Sequence, residues 1–511
     1  MTFDYLLDAF QLIFSTPTSL LFIILGVTAG IIVGSLPGLT ATMGCALLIP
    51  FTYSLPPVEG LLLLMGIFTG GIYGGSISGI LIRTPGTPAA AATLLDGYPL
   101  TQKGEGGKAI GISTVSSFVG GTIGALIMAF LAPEIALFGL RFGPPEFFAL
   151  AVFGLTMIIS ISGESLLKGF IVVLIGLLLT TIGFDPLSGV ARFSFGNDNL
   201  LGGITFIPVL IGLFGFAQVF RNVETMGLVP QVKSKVGKIL PNFKEIKPLL
   251  PTMAKSGTIG SLMGSVPGLG ADVAAFVAYG EAKRTSKKPE NFGKGSLEGI
   301  AAPESANNGA VGGAMIPMLT LGVPGDAVTA VLLGALTIHG LQPGPLLFRD
   351  HVDIVYPLFA GMILCQLVLL IVGLGGARVF AKLININMNI LTPIIFLMCI
   401  TGAYAMRFSF FDVGLALIVG VIAYFMDKAK FPISPILLAL ILGPMAEQNM
   451  RRSLLMSHDD LTIFFTRPIS ATFLALALFM AITSYRRFVK LKKIEKDIEE
   501  KASSDQTDKQ N

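Results

Sequence analysis

Four of this chain's Pro-Gly pairs interrupt apolar stretches, and polar side chains gather beside each of them. Pro37-Gly38-Leu39 is followed by Thr40 and Thr42, and Pro85-Gly86 is flanked by Arg83, Thr84 and Thr87. Pro267-Gly268 precedes Gly270 and Asp272, and Pro324-Gly325 precedes Asp326. Proline lacks an amide hydrogen and clashes with the preceding helical turn, while glycine reaches backbone angles that other residues avoid. Such a pair ends one half-helix and begins another, and in a bilayer the freed polar groups must face protein or a water-filled cavity. The N-terminus of a half-helix presents free amides and a positive dipole end, which suit a carboxylate. One carboxylate is therefore expected against the amides after Pro37-Gly38, with the Thr40 and Thr42 hydroxyls donating, and another against Pro267, Gly268 and Gly270. Unwound carbonyls with Thr, Asn or Asp oxygens suit a hard cation or a substrate hydroxyl. That places Thr84, Gly86, Thr87, Gly325 and Asp326 at a second pair of breaks, with Asn307 and Asn308 adding side-chain oxygens.

Each assignment has a structural counterpart. Glycines also let helices pack closely, and the amides and hydroxyls also form interhelical hydrogen-bond networks without a ligand. Asp272, one helical turn beyond Gly268, either coordinates a cation, carries a coupling proton or makes a structural pair. Asp326 either joins the cation site or caps the helix after it. Arg83 either neutralises a substrate carboxylate or extends to the cytoplasmic surface. Glu304 stands between a buried partner and a cation ligand. His339, His351 and His458 are scattered, Cys45, Cys365 and Cys399 are isolated within apolar runs, and no nucleophile has a matched base. No catalytic activity or resident cofactor is expected, only sodium or a proton as a coupling ion.

The elements that carry these residues are long and apolar. The 511 residues are 53% hydrophobic and 13% charged, against about 25% charged in a soluble protein. Mean hydropathy is +0.78. Apolar runs at 20–33, 58–82, 109–131, 166–182, 201–220, 354–374, 391–406 and 471–484 are the clearest. In all, roughly ten to thirteen segments cross or enter a bilayer, at about 20 residues per helix. The fold class is an all-α polytopic membrane protein. The N-terminus lacks a basic n-region and carries Asp4 and Asp8, so the first apolar segment is expected to be retained.

Lysine and arginine favour cytoplasmic loops. The loops 221–255 and 281–294 are basic, as is the opening of the tail at Arg486, Arg487, Lys490, Lys492 and Lys493. The intervening 256–280 starts and ends on one side, so the economical expectation is a re-entrant hairpin with its tip at Pro267-Gly268; a kinked single span is the alternative. Gly34-Ser35-Leu36-Pro37-Gly38-Leu39 recurs as Gly264-Ser265-Val266-Pro267-Gly268-Leu269, at an offset of 230 residues. Corresponding loops carry opposite charge character: 51–57 has no lysine or arginine where 281–294 is basic. Inverted-topology repeats produce that reversal. The expected organisation is a first inverted repeat at 15–110, intervening helices at 111–220, a basic cytoplasmic loop at 221–255, a second repeat at 256–346, C-terminal helices at 347–485 and a cytoplasmic tail at 486–511. One tension remains, because Arg451-Arg452 falls outside.

The stretches GSLPGLTATMG…GIYGGSISGILIRTPGTPAAAATLLDGYPLTQKGEGG and GSVPGLGADVAAFVAYGEAKRTSKKPENFGKGSLEGIAAPESANNGAVGGAMIPMLTLGVPGD resemble the large membrane subunit of tripartite tricarboxylate transporters, the TctA family. The likeness extends over roughly residues 15–480, and the second stretch is the more specific. It implies a secondary transporter working with a small four-helix membrane subunit and a periplasmic substrate-binding protein, in the bacterial inner membrane. It implies uptake of citrate-like tri- or dicarboxylates by symport with sodium or protons. Arg83 departs from the pattern, where the family resembles a neutral polar residue. An ion channel or exchanger without organic substrate is the alternative function, and a membrane-embedded enzyme a third.

Overall fold

A computed structural model describes residues 2–161, 166–224, 237–384, 386 and 388–486. Residues 225–236 of the basic loop and the tail from Arg487 onward lie outside the described residues. Among those described, helices dominate and the only ladder is a two-residue antiparallel pairing of Gly183–Phe184 with Ala191–Arg192. Eight helices are long and apolar enough to cross a bilayer: Pro17–Ser35, Pro57–Ile82, Gly106–Gly139, Phe206–Glu224, Val352–Leu383, Met388–Ala405, Phe410–Lys428 and Pro468–Arg486. Shorter apolar helices cover Ala41–Thr52, Pro144–Met157, Leu166–Thr180 and Ala327–Ile338. The chain is a polytopic α-helical membrane protein. Leu297–Leu321 is missing from the eight because Glu298, Glu304, Asn307 and Asn308 lower its hydropathy. Its 25 residues still reach about 37 Å at 1.5 Å per residue, and it is buried along nearly its whole length.

The helices fall into two units, 1–141 with 205–425, and 142–204 with 426–511. All the candidate site residues belong to the first, which is built from two similar assemblies. In one, Pro17–Ser35 lies parallel to Pro57–Ile82. A Cβ added at Gly26, Gly30 or Gly34 would fall 2.3, 2.5 or 2.2 Å from the carbonyl oxygens of Leu63, Ile67 and Gly71. Glycine at four-residue spacing thus brings the two backbones into direct contact, as small residues do between membrane helices. The chain then turns at 36–40 and returns as Ala41–Thr52, antiparallel to the same long helix: Ala41 lies beside Gly71, and Thr52 beside Gly60. The Cys45 thiol donates to the Leu64 carbonyl at 3.5 Å between them.

The other assembly repeats this with different residues. Leu250–Gly264 runs parallel to Leu297–Leu321, with Gly260 and Gly264 against the carbonyls of Ala306 and Ala310. Gly309 and Gly313 of the long helix reciprocate against Gly257 and Ser261. After a turn at 265–269, Gly270–Thr285 comes back, laying Ala271, Ala274, Ala275, Ala278 and Ala282 on Ala302, Ala306 and Ala310. Lys255 and Glu281 close the open end of this hairpin with an ion pair at 2.5 Å.

Each long helix ends in an elbow that folds back along it. Arg83 adopts a left-handed conformation, φ 60°, at the end of Pro57–Ile82, and Gly322 does so, φ 69°, after Leu297–Leu321. The Gly86 amide then donates to the Gly75 carbonyl at 3.0 Å, and a Cβ at Gly86 would lie 2.1 Å from the Gly34 carbonyl. A Cβ at Gly325 would meet Ala314 and the Gly264 carbonyl at 2.8 Å. From the elbows the helices Ala90–Gln102 and Ala327–Ile338 run outward.

Loops collect by charge. Lys103 Nζ donates to the Lys294 carbonyl at 2.6 Å and Lys108 pairs with Glu245 at 2.7 Å, so the basic loops share one end of the unit. At the other end His339 lies beside Gly60 and Pro345 beside Gly139, next to the lysine-free 51–57. In the second unit, Arg451 is paired with Asp185 at 2.6 Å and with Glu447 at 3.5 Å, and Arg192 with Glu447 at 2.5 Å. The Ser188 amide, the Arg451 guanidinium and the Leu187 amide hold the Asp185 carboxyl well below the usual carboxylate range. Arg451, out of place by the charge rule, is thus held in a local network of two arginines and two carboxylates.

Candidate functional site

The tips of the hairpins meet the elbows. Gly38, φ +84°, places its Cα edge against Gln218, with Nε2 2.9 Å from a built Cβ. Gln218 in turn donates to Asn222 at 2.8 Å. Leu39 is buried, and Thr40 Oγ1 accepts the Met43 amide at 3.2 Å, capping the return helix. Thr42, two residues on, is buried. In the second hairpin Pro267 is buried, and the Gly268 amide, φ +87°, donates to the Gly325 carbonyl at 2.8 Å. Gly270, φ +59°, faces the Asp326 side chain, 3.6 Å from a built Cβ. The left-handed angles at Gly38, Gly268 and Gly270 are ones that side-chain-bearing residues rarely adopt.

Return helix and outward helix cross between the halves: Ala41–Thr52 packs on Ala327–Ile338, and Gly270–Thr285 on Ala90–Gln102. The Asp272 carboxyl comes to the Ala89 backbone amide and within electrostatic range of Asp326, which also acts on Cys45. Asp272 keeps exposed surface while protein surrounds it, as a group lining a recess does. At the offset of 230, Thr42 corresponds to Asp272; at 239, Thr87 corresponds to Asp326. These two hydroxyls of the first half thus have carboxylates as their counterparts in the second. Asp326 also forms a capping box, its Oδ1 accepting the Thr329 amide at 2.8 Å while its own amide donates to Thr329 Oγ1 at 2.9 Å. The capping role is therefore real.

Three buried polar side chains on the first elbow and the second long helix hold atoms without a hydrogen-bond partner among the described residues: Thr87 Oγ1, both Asn307 side-chain atoms and Asn308 Oδ1. Asn308 Nδ2 donates to the Glu304 carbonyl at 3.2 Å. Leaving a buried amide unpaired costs about 1–3 kcal/mol, so Asn307 is the position where a ligand oxygen or cation gains most.

Arg83 and Thr84 are not part of this convergence. Pro57–Ile82 runs to its full length before breaking, so its left-handed cap falls at the outer end and only from Gly86 does the chain turn inward. Arg83 is exposed and lies over the Tyr98 ring, 5.8 Å from the centroid. Thr84 is exposed as well.

Sequence reasoning left three features unresolved. Glu304 is fully buried and accepts hydroxyls from Ser76, Thr93, Ser113 and Ser117, drawn from the three helices Pro57–Ile82, Ala90–Gln102 and Gly106–Gly139. Asp96, also fully buried, accepts the amides of Gly293, Gly295 and Ser296 on one oxygen and the Tyr279 hydroxyl on the other. Gln218 and Asn222 follow a π-helical turn at Ile211–Phe216, an irregularity common at functional sites. Only the four-residue spacing of Ser113 and Ser117, one face of a helix, gave a signal for the first.

A multi-pass helical membrane protein whose broken helices meet around unpaired polar groups belongs to the class of transport proteins. More particularly, residues 20–438 match the tripartite tricarboxylate transporter TctA family, and the chain belongs to that family. An uncharacterized 52.8 kDa protein in the TAR-I ttuC' 3' region of Agrobacterium vitis is 35% identical over 485 residues, covering 95% of this chain and 97% of that one. An uncharacterized protein in the TAR-II ttuC' 3' region of the same organism is 36% identical over 223 residues, 44% of this chain and 92% of that one. No solved structure gives a significant match.

Proposed function

We propose that this chain is the large membrane subunit of a binding-protein-dependent secondary transporter that imports tricarboxylates, citrate-like, or other organic carboxylates by cation symport. It works in the bacterial inner membrane with a small four-helix membrane subunit and a periplasmic substrate-binding protein, its C-terminus cytoplasmic. The two assemblies act as inverted repeats, their tips and elbows enclosing one site near the midplane. Substrate carboxylates approach the tip amides at Gly38 and Gly268, and sodium or a proton occupies the side with Asp272, Asn307, Asn308 and Asp326.

The observation that carries this reading is the meeting of hairpin and elbow in each half, Gly34 with Gly86 and Gly268 with Gly325, together with an Asn307 on the second long helix that no described residue satisfies. Broken helices arranged this way form transporter binding sites. The test is uptake of labelled citrate and other carboxylates into proteoliposomes holding the complete system, with sodium or proton gradients imposed. Saturable, gradient-dependent uptake that Gly38→Ala and Gly268→Ala impair supports the proposal. Unchanged affinity and rate in both variants remove the tips from the site, and ion flux without solute uptake supports a channel or exchanger instead.

A further inference from the structure

Asp96 and Glu304, both fully buried in the first unit, are held in different ways. Asp96 Oδ1 accepts three backbone amides at 2.9, 2.9 and 2.7 Å. A backbone amide only donates. Glu304 meets four hydroxyls instead, Ser76 and Thr93 on Oε1, and Ser113 and Ser117 on Oε2 at 2.9 and 3.0 Å. A hydroxyl both donates and accepts. Around the anion all four donate; around the acid one rotates and accepts the carboxyl proton while the others stay in place. The cage accommodates both protonation states without moving a backbone atom.

Among the described residues, no cation pairs with Glu304. From Pro57–Ile82 the facing groups are Ser76 and Tyr73, whose hydroxyl is engaged with Thr114 at 2.7 Å. Ala90–Gln102 contributes Thr93, with Asp96 a turn away and occupied by the loop amides. Gly106–Gly139 contributes Ser113, Thr114 and Ser117, its only lysine, Lys108, being paired with Glu245 at the helix start. On the remaining neighbours, Lys255 of Leu250–Gly264 is paired with Glu281, Asp272 of Gly270–Thr285 stands at the Ala89 amide, Asp326 caps Ala327–Ile338, Arg349 of Pro345–Asp350 is paired with Asp350, and Lys247 is exposed. On its own helix, Glu298 accepts from Thr252 and Ser286.

We propose that Glu304 is a reversible proton-binding site, whose anionic form the four hydroxyls support and which takes up a proton when Ser76 and Thr93 withdraw. Glu304 stands on the second long helix and the two donors to its Oε1, Ser76 and Thr93, on the first assembly. Ser113 and Ser117 come instead from Gly106–Gly139, which lies against Glu304's own helix at Gly120 and Gly124. Separating the two assemblies therefore strips Oε1 of its donors. An ionised carboxylate left so in a low-dielectric interior is costly, and the proton must arrive as the donors leave. Proton occupancy is thereby tied to the relative position of the halves. Its use in driving solute rests on the transport reading above; the site itself does not.

An infrared pH titration of the purified full chain in lipid, without solute, reads the carboxyl directly. The expected result is a protonated-carboxyl C=O band that appears on acidification, reverses, and is absent from Glu304→Gln. Ser113→Ala and Ser117→Ala each remove one donor to the anion, and the band then appears about one to two pH units earlier on acidification. These milder changes keep the test decisive should Glu304→Gln not fold. Identical bands in parent, Glu304→Gln and the serine variants at every pH would overturn the proposal. Because no transport is measured, that failure is distinct from a failure to take up carboxylates.

Discussion

Asn307 and Gly86 illustrate how differently single residues support the same site. Asn307 is fully buried with both side-chain ends unpaired among the described residues, so truncating it removes a polar burden along with any ligand contact. Asn307→Ala is expected to leave the fold intact, or slightly stabilised, while altering the sodium dependence of uptake. Uptake with the parent's sodium dependence would remove Asn307 from the site. Gly86 acts through backbone approach: a Cβ there would stand 2.1 Å from the Gly34 carbonyl and 2.9 Å from the Gly75 Cα. Neither neighbour is a flexible side chain, so Gly86→Ala is expected to cost about 1–3 kcal/mol, read as a lowered thermal midpoint in detergent. At this scale the sequence was partly legible. Pro-Gly pairs marked Gly38, Gly86, Gly268 and Gly325 because the covalent peculiarities of those residues are local. The partners of Glu304 were not legible, since Ser76, Thr93, Ser113 and Ser117 are ordinary small residues whose meeting depends on three helices packing.

The hairpins depend on two kinds of contact along their length. Glycine and alanine fix the inner part against the long helices, whereas the second hairpin's open end relies on Glu281 with Arg284 and Lys255. Hydrogen bonds from those two cations push the Glu281 carboxyl down to about 2. A depressed carboxylate contributes stability that is present above its unfolded value, near 4.3, and lost as pH falls through about 2. Hydrogen exchange in 276–285 is therefore expected to rise in the parent only below about pH 4, and to be raised already at neutral pH in Glu281→Gln. A flat profile in the parent would deny the ion pair this role. Asp96 acts on the adjoining loop: Asp96→Ala frees the amides of Gly293, Gly295 and Ser296, and faster proteolysis at Lys287, Lys288 and Lys294 is the expected readout. Element boundaries at the tips followed from proline and glycine, but Arg83 did not, because nothing local tells that Pro57–Ile82 completes its span before the elbow forms.

For the whole molecule, the basic loops lie together at one end of the first unit and 51–57 lies with 339–351 at the other. Single cysteines introduced at Lys103 and Lys288 should react with an impermeant maleimide from one side of the membrane, and those at Tyr53 and Asp350 from the other. The native Cys45, Cys365 and Cys399 are buried and free, so background labelling is low. Labelling of all four positions from one side would exclude the opposed arrangement. Composition made the membrane class legible, since 13% charge cannot clothe a soluble surface of this size. It concealed Leu297–Leu321, whose polar residues serve the interior instead of water.

The tips recur at an offset of 230 residues but the elbows at 239, so the later copy holds nine additional residues between its tip and its elbow. Its return helix is longer, ending at Thr285, and the connection that follows is the stretch gripped by Asp96. The counterpart of Asp96 in the later copy is Ala335, which could grip nothing. The clasp has no twin. The lengthened connection and the acid that fastens it belong to only one of the two assemblies, and there the two are not interchangeable.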